Sequence, residues 1–312
     1  MAPLNVLLSH AVLEVTREAE TILPEVNVVQ WSDFWRVADG ADRRSLHLDA
    51  RISRRAMKTY IDRQGKAKGL KIDKGVVRLT QRGRRLRDAW GAAIGEACAA
   101  CEERWGSSLR DALVPFVNQL ELELPHYIHP YGVDPTIRGS GTEGREHGTD
   151  WKPVMRSAKS ESTSGLSILA LLSQALAAFA IEYESRDGPL VLGVNFSQFD
   201  EPILLTEVPR LLGVNAGSRA SMERFGLVKV SGGLAHPTKV GQVLKSNYER
   251  LVPEVESSWR ARHGDDGVDA LGAALETIDS SLTTVHADHP VVLSRAATGF
   301  VEVTGQRVEA GS

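Results

Sequence analysis

Between residues 51 and 87 the chain carries fourteen lysines and arginines against two acids, Asp62 and Asp73, although the formal net charge of all 312 residues is -3. A strongly cationic segment in a mildly acidic chain marks out one surface for a polyanion. Its side chains fall into two sets. Ser53 is placed to cap a helix running to about Gln64, with Ala56, Met57, Tyr60 and Ile61 on one face and Arg54, Arg55 and Lys58 on the other; Thr59 and Arg63 complete the set expected at DNA. Lys71, Lys74 and Arg78 belong to Leu70–Leu79, which reads as two short alternating strands around an Asp73-Lys74-Gly75 turn. On such a surface most cations meet phosphate and fix position, while Arg54 and Arg55, near the helix start, are placed to read base edges. Charge runs more often coat a solvated face. The pairing of a groove-sized helix with a hairpin favours double-stranded DNA as partner.

Other candidate chemistries are thinner. Cys98 and Cys101, the two cysteines, lie three residues apart in an Ala-rich helical stretch without the strand-turn-helix of a redox motif, so they read as small buried residues. His126-x-x-His129-Pro130 and His286-x-x-His289-Pro290 have a spacing that could hold a metal on a helix. The prolines and the lack of further ligands favour a loop, and no metal or cofactor is expected. Gly139-x-Gly141-x-x-Gly144 has no preceding strand, and neither a nucleophile elbow nor a metalloprotease helix occurs, so nothing points to an enzyme. Trp35 is the candidate for a small-molecule contact, because Trp31 and Phe34 have aromatic counterparts at Phe196 and Phe199 whereas Trp35 faces Asp200 in the same alignment.

That alignment is an internal duplication. Leu7-Leu8-Ser9-His10-Ala11 returns as Leu171-Leu172-Ser173-Gln174-Ala175, with Glu18 and Glu20 matched by Glu182 and Glu184. Thr80, Gly83 and Leu86 return as Thr238, Gly241 and Leu244, and Arg104, Gly106 and Asp111-Ala112-Leu113 return as Arg262, Gly264 and Asp269-Ala270-Leu271. Preserved order at a nearly constant offset implies two repeats, expected over 1–131 and 166–312, with a Gly- and Ser-rich linker over 132–165. In the first repeat helices are expected over Leu4–Ile22, Gln30–Val37, about Arg44–Arg51 and Ser53–Gln64, then the hairpin, then a long helix opened by Thr80 and running to Trp105. The apolar run Leu166–Ile181 is short and interrupted for a bilayer span and reads as a buried helix, without a membrane partner. The start Met1-Ala2-Pro3-Leu4-Asn5 lacks signal-peptide character, so a cytoplasmic location is expected.

Helix, helix, helix, two-stranded wing, long helix is the order of a winged helix-turn-helix. Ile52-Ser53-Arg54-Arg55-Ala56, then Gly69-Leu70, then Val77-Arg78-Leu79-Thr80-Gln81-Arg82-Gly83-Arg84 resembles the recognition helix, wing and following helix of MarR-type bacterial regulators. Leu205–Val214, Phe225-Gly226-Leu227-Val228 and Thr238-Lys239-Val240-Gly241 are similar in the second half. The likeness to tandem MarR-like proteins of actinobacteria covers nearly the whole chain. It implies a mainly helical fold with small β wings, a monomeric pseudo-dimer, transcriptional control at a DNA operator and a small-molecule effector pocket. An accessory protein, binding a small molecule or serving biosynthesis, that kept the fold without the DNA is the alternative. The second repeat departs from the pattern: its helix, with Asn215, Ser218 and Arg219 as candidate contacts, is about one turn short, and its wing Val230–His236 has no basic tip. DNA affinity is therefore expected mainly from the first repeat.

Overall fold

The computed structural model describes residues 2–23, 32–51, 57, 61, 69–127, 154–155, 162–186, 190–197, 199, 201–206, 223 and 226–281. The protein is mainly helical with small antiparallel sheets. Two compact units are distinguished: one holds Ala11–Ile128 and Asp134–Ala177, the other Met1–His10, His129–Val133 and Ala178–Ser312. Neither unit coincides with a half of the sequence, because each takes one end of the first helix and one end of a later one.

The first unit, which bears the first hairpin, contains α1 (Leu4–Ile22) from Ala11 onward, α2 (Ser32–Val37), α3 (Leu46–Asp49), β1 (Leu70–Asp73), β2 (Val76–Leu79), α4 (Gln81–Trp105), α5 (Ser108–Asn118), β3 (Leu122–Glu123), β4 (Val154–Met155) and the first part of α6 (Ile168–Arg186). Phe34, Trp35, Leu46, Val77, Ala97, Cys101, Leu113 and Val117 are buried in it, and burial of this kind is the main stabilising term. Glu14 and Glu18 of α1 both bond Arg104, at 2.8 and 2.9 Å. Within the stretch expected as linker, β4 pairs antiparallel with β3, Leu122 opposite Met155. Desolvation raises the Cys98 thiol and pushes Cys101 up to about 12, so both buried cysteines stay protonated at neutral pH.

The second unit contains the start of α1, the end of α6, α7 (Leu190–Ser197), β5 (Ile203–Leu204), β6 (Val228–Ser231), β7 (Leu234–Pro237), α8 (Lys239–His263) and α9 (Asp265–Ser281). Its sheet has the order β5-β7-β6, and Phe196, Phe199, Ile203, Leu227, Val228 and Ala235 form the core beneath it. The most extensive helix packing is α7 on α8. There Gly193 permits the close approach, since a Cβ would lie 2.7 Å from the Tyr183 hydroxyl and 3.1 Å from Tyr248. Leu4 N–H donates to Glu256 at 2.8 Å, and Asn5 Nδ2 donates to the Tyr248 hydroxyl at 3.2 Å, tying the chain start to α8. α6 has the length and hydropathy of a bilayer span, but 72% of its apolar window is buried by protein. It is a core helix of the kind its sequence predicts.

Where the expected elements can be compared, α1, the hairpin and α4 occupy the predicted residues, and α3 is shorter, because Asp42 is bridged to Val76 and Arg43–Ser45 forms a turn before it. The helix expected over Ser53–Gln64 lies outside the described residues except at Met57 and Ile61, both buried as the face assignment requires.

Candidate nucleic-acid interface

The first hairpin closes with the shortest possible turn. Asp73 lies opposite Val76, and between them Lys74 at φ 48° and Gly75 at φ 84° both adopt the left-handed region. Two positive φ values define a type I′ turn, whose twist matches the flanking strands and lifts Lys74 to the tip. A segment ahead of α3 adds a third edge: Gly40 N–H donates to the Val77 carbonyl and Val77 N–H to the Ala41 carbonyl, both at 2.9 Å, and Arg43 N–H donates to the Gly75 carbonyl at 2.8 Å. Asp39 completes the strap by accepting from Leu79 N–H at 3.1 Å. The hairpin is thus fixed in register on both sides.

Thr80 joins hairpin to helix. Its hydroxyl accepts from Gly83 N–H at 3.2 Å, capping α4, and donates to the Gly69 carbonyl at 2.9 Å, tethering the start of β1. Gly83 lies so close to Gly69 that a Cβ there would overlap the Gly69 carbonyl. The strands and the first turns of α4 therefore present one continuous surface. On it Lys71, Lys74, Arg78, Arg82 and Arg85 are exposed, and none forms an ion pair among the described residues. Arg84 donates to the Leu79 carbonyl at 2.8 Å, and Arg87 pairs with Asp88 at 3.0 Å. Uncompensated cations on one fixed hairpin-helix junction are what a polyanion binds.

The second hairpin is assembled by the same device. Ser231 lies opposite Leu234 with Gly232 at φ 59° and Gly233 at φ 78° between them. Thr238 caps α8 by accepting from Gly241 N–H at 3.4 Å and donates to the Gly226 carbonyl at 2.5 Å. Leu205 N–H donates to the Gly233 carbonyl at 3.0 Å, as Arg43 does to Gly75. From Leu70 to Gly106 the two junctions correspond at a constant offset of 158, and their surfaces differ. Lys74, Arg78, Arg82, Arg84 and Arg85 correspond in position to Gly232, His236, Val240, Gln242 and Val243, and Arg43 and Arg44 to Leu205 and Thr206. Val240 and Val243 are 53% and 56% exposed, so apolar surface stands where the first hairpin lobe shows guanidinium. Lys229, Lys239 and Lys245 are the cations that the second lobe keeps over residues 228–245.

Of the predicted site residues, Lys71, Lys74 and Arg78 are brought together on one hairpin. Ser53, Arg54, Arg55, Lys58, Thr59, Arg63, Asn215, Ser218 and Arg219 lie outside the described residues, as do His129, His286 and His289. Trp35 is buried, edge-on to Phe34 with ring centroids 5.3 Å apart. His126 lies in an irregular segment, its N–H donating to the buried Asp33 carboxylate at 3.0 Å. Sequence reasoning did not single out Arg43, Arg44, Arg82, Arg84 and Arg85 as candidates. The last three lay inside the counted cationic stretch. For Arg43 the available signal was its counterpart Leu205, which begins the second-half match. Comparison of the chain with known families, curated proteins and solved structures finds no significant match.

Proposed function

We propose that the chain is a double-stranded-DNA-binding transcriptional regulator of the cytoplasm, built of two tandem MarR-like winged-helix repeats as a single-chain pseudo-dimer, with the first repeat making the main duplex contact. The observation that carries this reading is the exposed set Lys71, Lys74, Arg78, Arg82 and Arg85 on one fixed hairpin-helix junction. The duplication is supported by two equivalent ion pairs as well as by the matched caps. Arg104 bonds Glu18, and its aligned partner Arg262 bonds Glu182, which is aligned with Glu18. A small-molecule effector belongs to the same reading, with Trp35 as its proposed contact.

Fluorescence anisotropy with genomic duplex fragments, including the chain's own promoter region, tests it. Salt-sensitive, sequence-dependent binding is the expected result. Arg54→Ala with Arg55→Ala should weaken it by about 1 to 3 kcal/mol per lost base contact and relax specificity, far beyond the effect of Ser218→Ala with Arg219→Ala. A symmetric operator with equal losses from the two pairs would contradict a dominant first repeat. The exposed Val240 and Val243 favour one second reading, an accessory protein that kept the fold without duplex contact. Absence of salt-sensitive binding to every fragment would select it.

A further inference from the structure

At the foot of the first hairpin is a cleft of about 480 Å³ lined by Asp39, Lys71, Asp73, Arg78, Thr80 and Arg84, among others. Lys71 and Arg78 sit directly opposite each other in the antiparallel register. Like charges in that position destabilise a hairpin, and here neither is neutralised by an ion pair among the described residues. The two carboxylates of the cleft do not relieve them. Asp39 is engaged by Leu79 N–H and lies 3.9 Å from Arg87, and Asp73 forms no ion pair among the described residues. Arg84 is held by the Leu79 carbonyl and adds a third cation. In the second hairpin the opposed pair is Lys229 with His236, and the position of Arg84 is Gln242. A concave site that gathers cations and holds two of them in mutual repulsion is stabilised by an anion, and guanidinium beside ammonium suits a phosphate oxygen set.

We propose that this cleft is a phosphate site, with Lys71 and Arg78 as its ligands and Arg84 as supporting charge. The phosphate comes from the duplex backbone, in which case the site rests on the DNA reading above, or from a phosphorylated small molecule. Inorganic pyrophosphate is the probe that separates the site from that reading. Millimolar pyrophosphate raises the thermal midpoint of the wild-type chain and leaves Lys71→Gln with Arg78→Gln unmoved, while Lys229→Gln with His236→Gln keeps the full shift. Both first-hairpin changes are at exposed positions, and the midpoint without pyrophosphate reports their folding. Asp73→Asn removes a carboxylate whose charge repels an anion in the cleft and binds pyrophosphate several-fold more tightly. In the duplex arm, Lys71→Gln with Arg78→Gln flattens the salt slope by about two, about one per phosphate contact. Loss of the pyrophosphate shift with a flattened slope assigns the backbone source. Loss of the shift with duplex binding unchanged, or without any duplex binding in the wild type, assigns the small-molecule source and supports the site even where the DNA reading fails. An equal shift in wild type and double variant, or weaker binding in Asp73→Asn, overturns the proposal.

Discussion

Gly83 and Gly91 stand in the same helix, α4, with opposite consequences for substitution. A Cβ at Gly83 would overlap the Gly69 carbonyl, so alanine must push the hairpin off the helix, whereas a Cβ at Gly91 meets nothing within 4 Å. Gly83→Ala is expected to cost about 1 to 3 kcal/mol in urea denaturation. Gly91→Ala should stabilise by about 0.5 to 1 kcal/mol, because glycine in a helix interior gives up more chain entropy. Equal effects would mean that the hairpin does not rest on α4 as described. The pH response of the second unit also belongs to single residues. Burial opposes ionisation of Glu182, but bonds from Arg262, Ser258 and Arg186 outweigh it and hold the carboxyl below its ordinary 4.5. Burial and the charge of Arg262 hold His263 below 6.5. Both folded values are depressed. The His263 contribution is therefore complete above about pH 6.5 and fades as pH falls toward its folded value, and the Glu182 contribution is complete above about 4.5 and fades below it. Acidification should lower the thermal midpoint in that order, and Glu182→Gln should remove the lower stage. A midpoint that rises on acidification through 6.5 contradicts this assignment.

At the scale of elements, the joint between hairpin and helix is the part most dependent on one side chain. Thr80→Ala deletes both the cap and the tether to Gly69, so a loss of about 1 kcal/mol or somewhat more is expected, with Thr80→Ser recovering most of it. A serine variant as weak as the alanine would show that the hydroxyl is not the cause. This joint was legible in the sequence: Asp-Lys-Gly between alternating strands, followed by threonine three residues before glycine, has a local physical meaning at every position. α1 and α6 were legible for a similar reason, through apolar periodicity. The strap Asp39–Arg43 was not, because it bonds the hairpin through backbone groups, which leave no side-chain pattern. Nor was the pairing of Val154-Met155 with Leu122-Glu123, since two-residue strands have no periodicity and the surrounding stretch is rich in glycine and serine. Composition marked the stretch as cationic without separating Arg82 and Arg85, which carry no described ion pair, from Arg87, which is bound to Asp88.

Over the whole molecule, the two hairpin lobes share a scaffold and differ in surface. The cap, the turn and the pairing of Arg104 with Glu18 have counterparts in Thr238, Gly232-Gly233 and Arg262 with Glu182, and each stabilises its own lobe. Exposed cations cost some self-repulsion, so guanidinium at Arg82 and Arg85 in one lobe against Val240 and Val243 at the matching positions of the other calls for a functional cause. Proposed duplex binding supplies it for the first lobe. The direct measurement is the salt dependence of duplex affinity for the wild-type chain, for Arg82→Gln with Arg85→Gln, and for Lys229→Gln with Lys239→Gln. The account predicts salt-sensitive binding by the wild type, a slope lower by about two with clearly weaker affinity in the first-lobe variant, and little change in the second-lobe variant. A wild type without salt-sensitive binding, or equal losses from the two pairs, would contradict it.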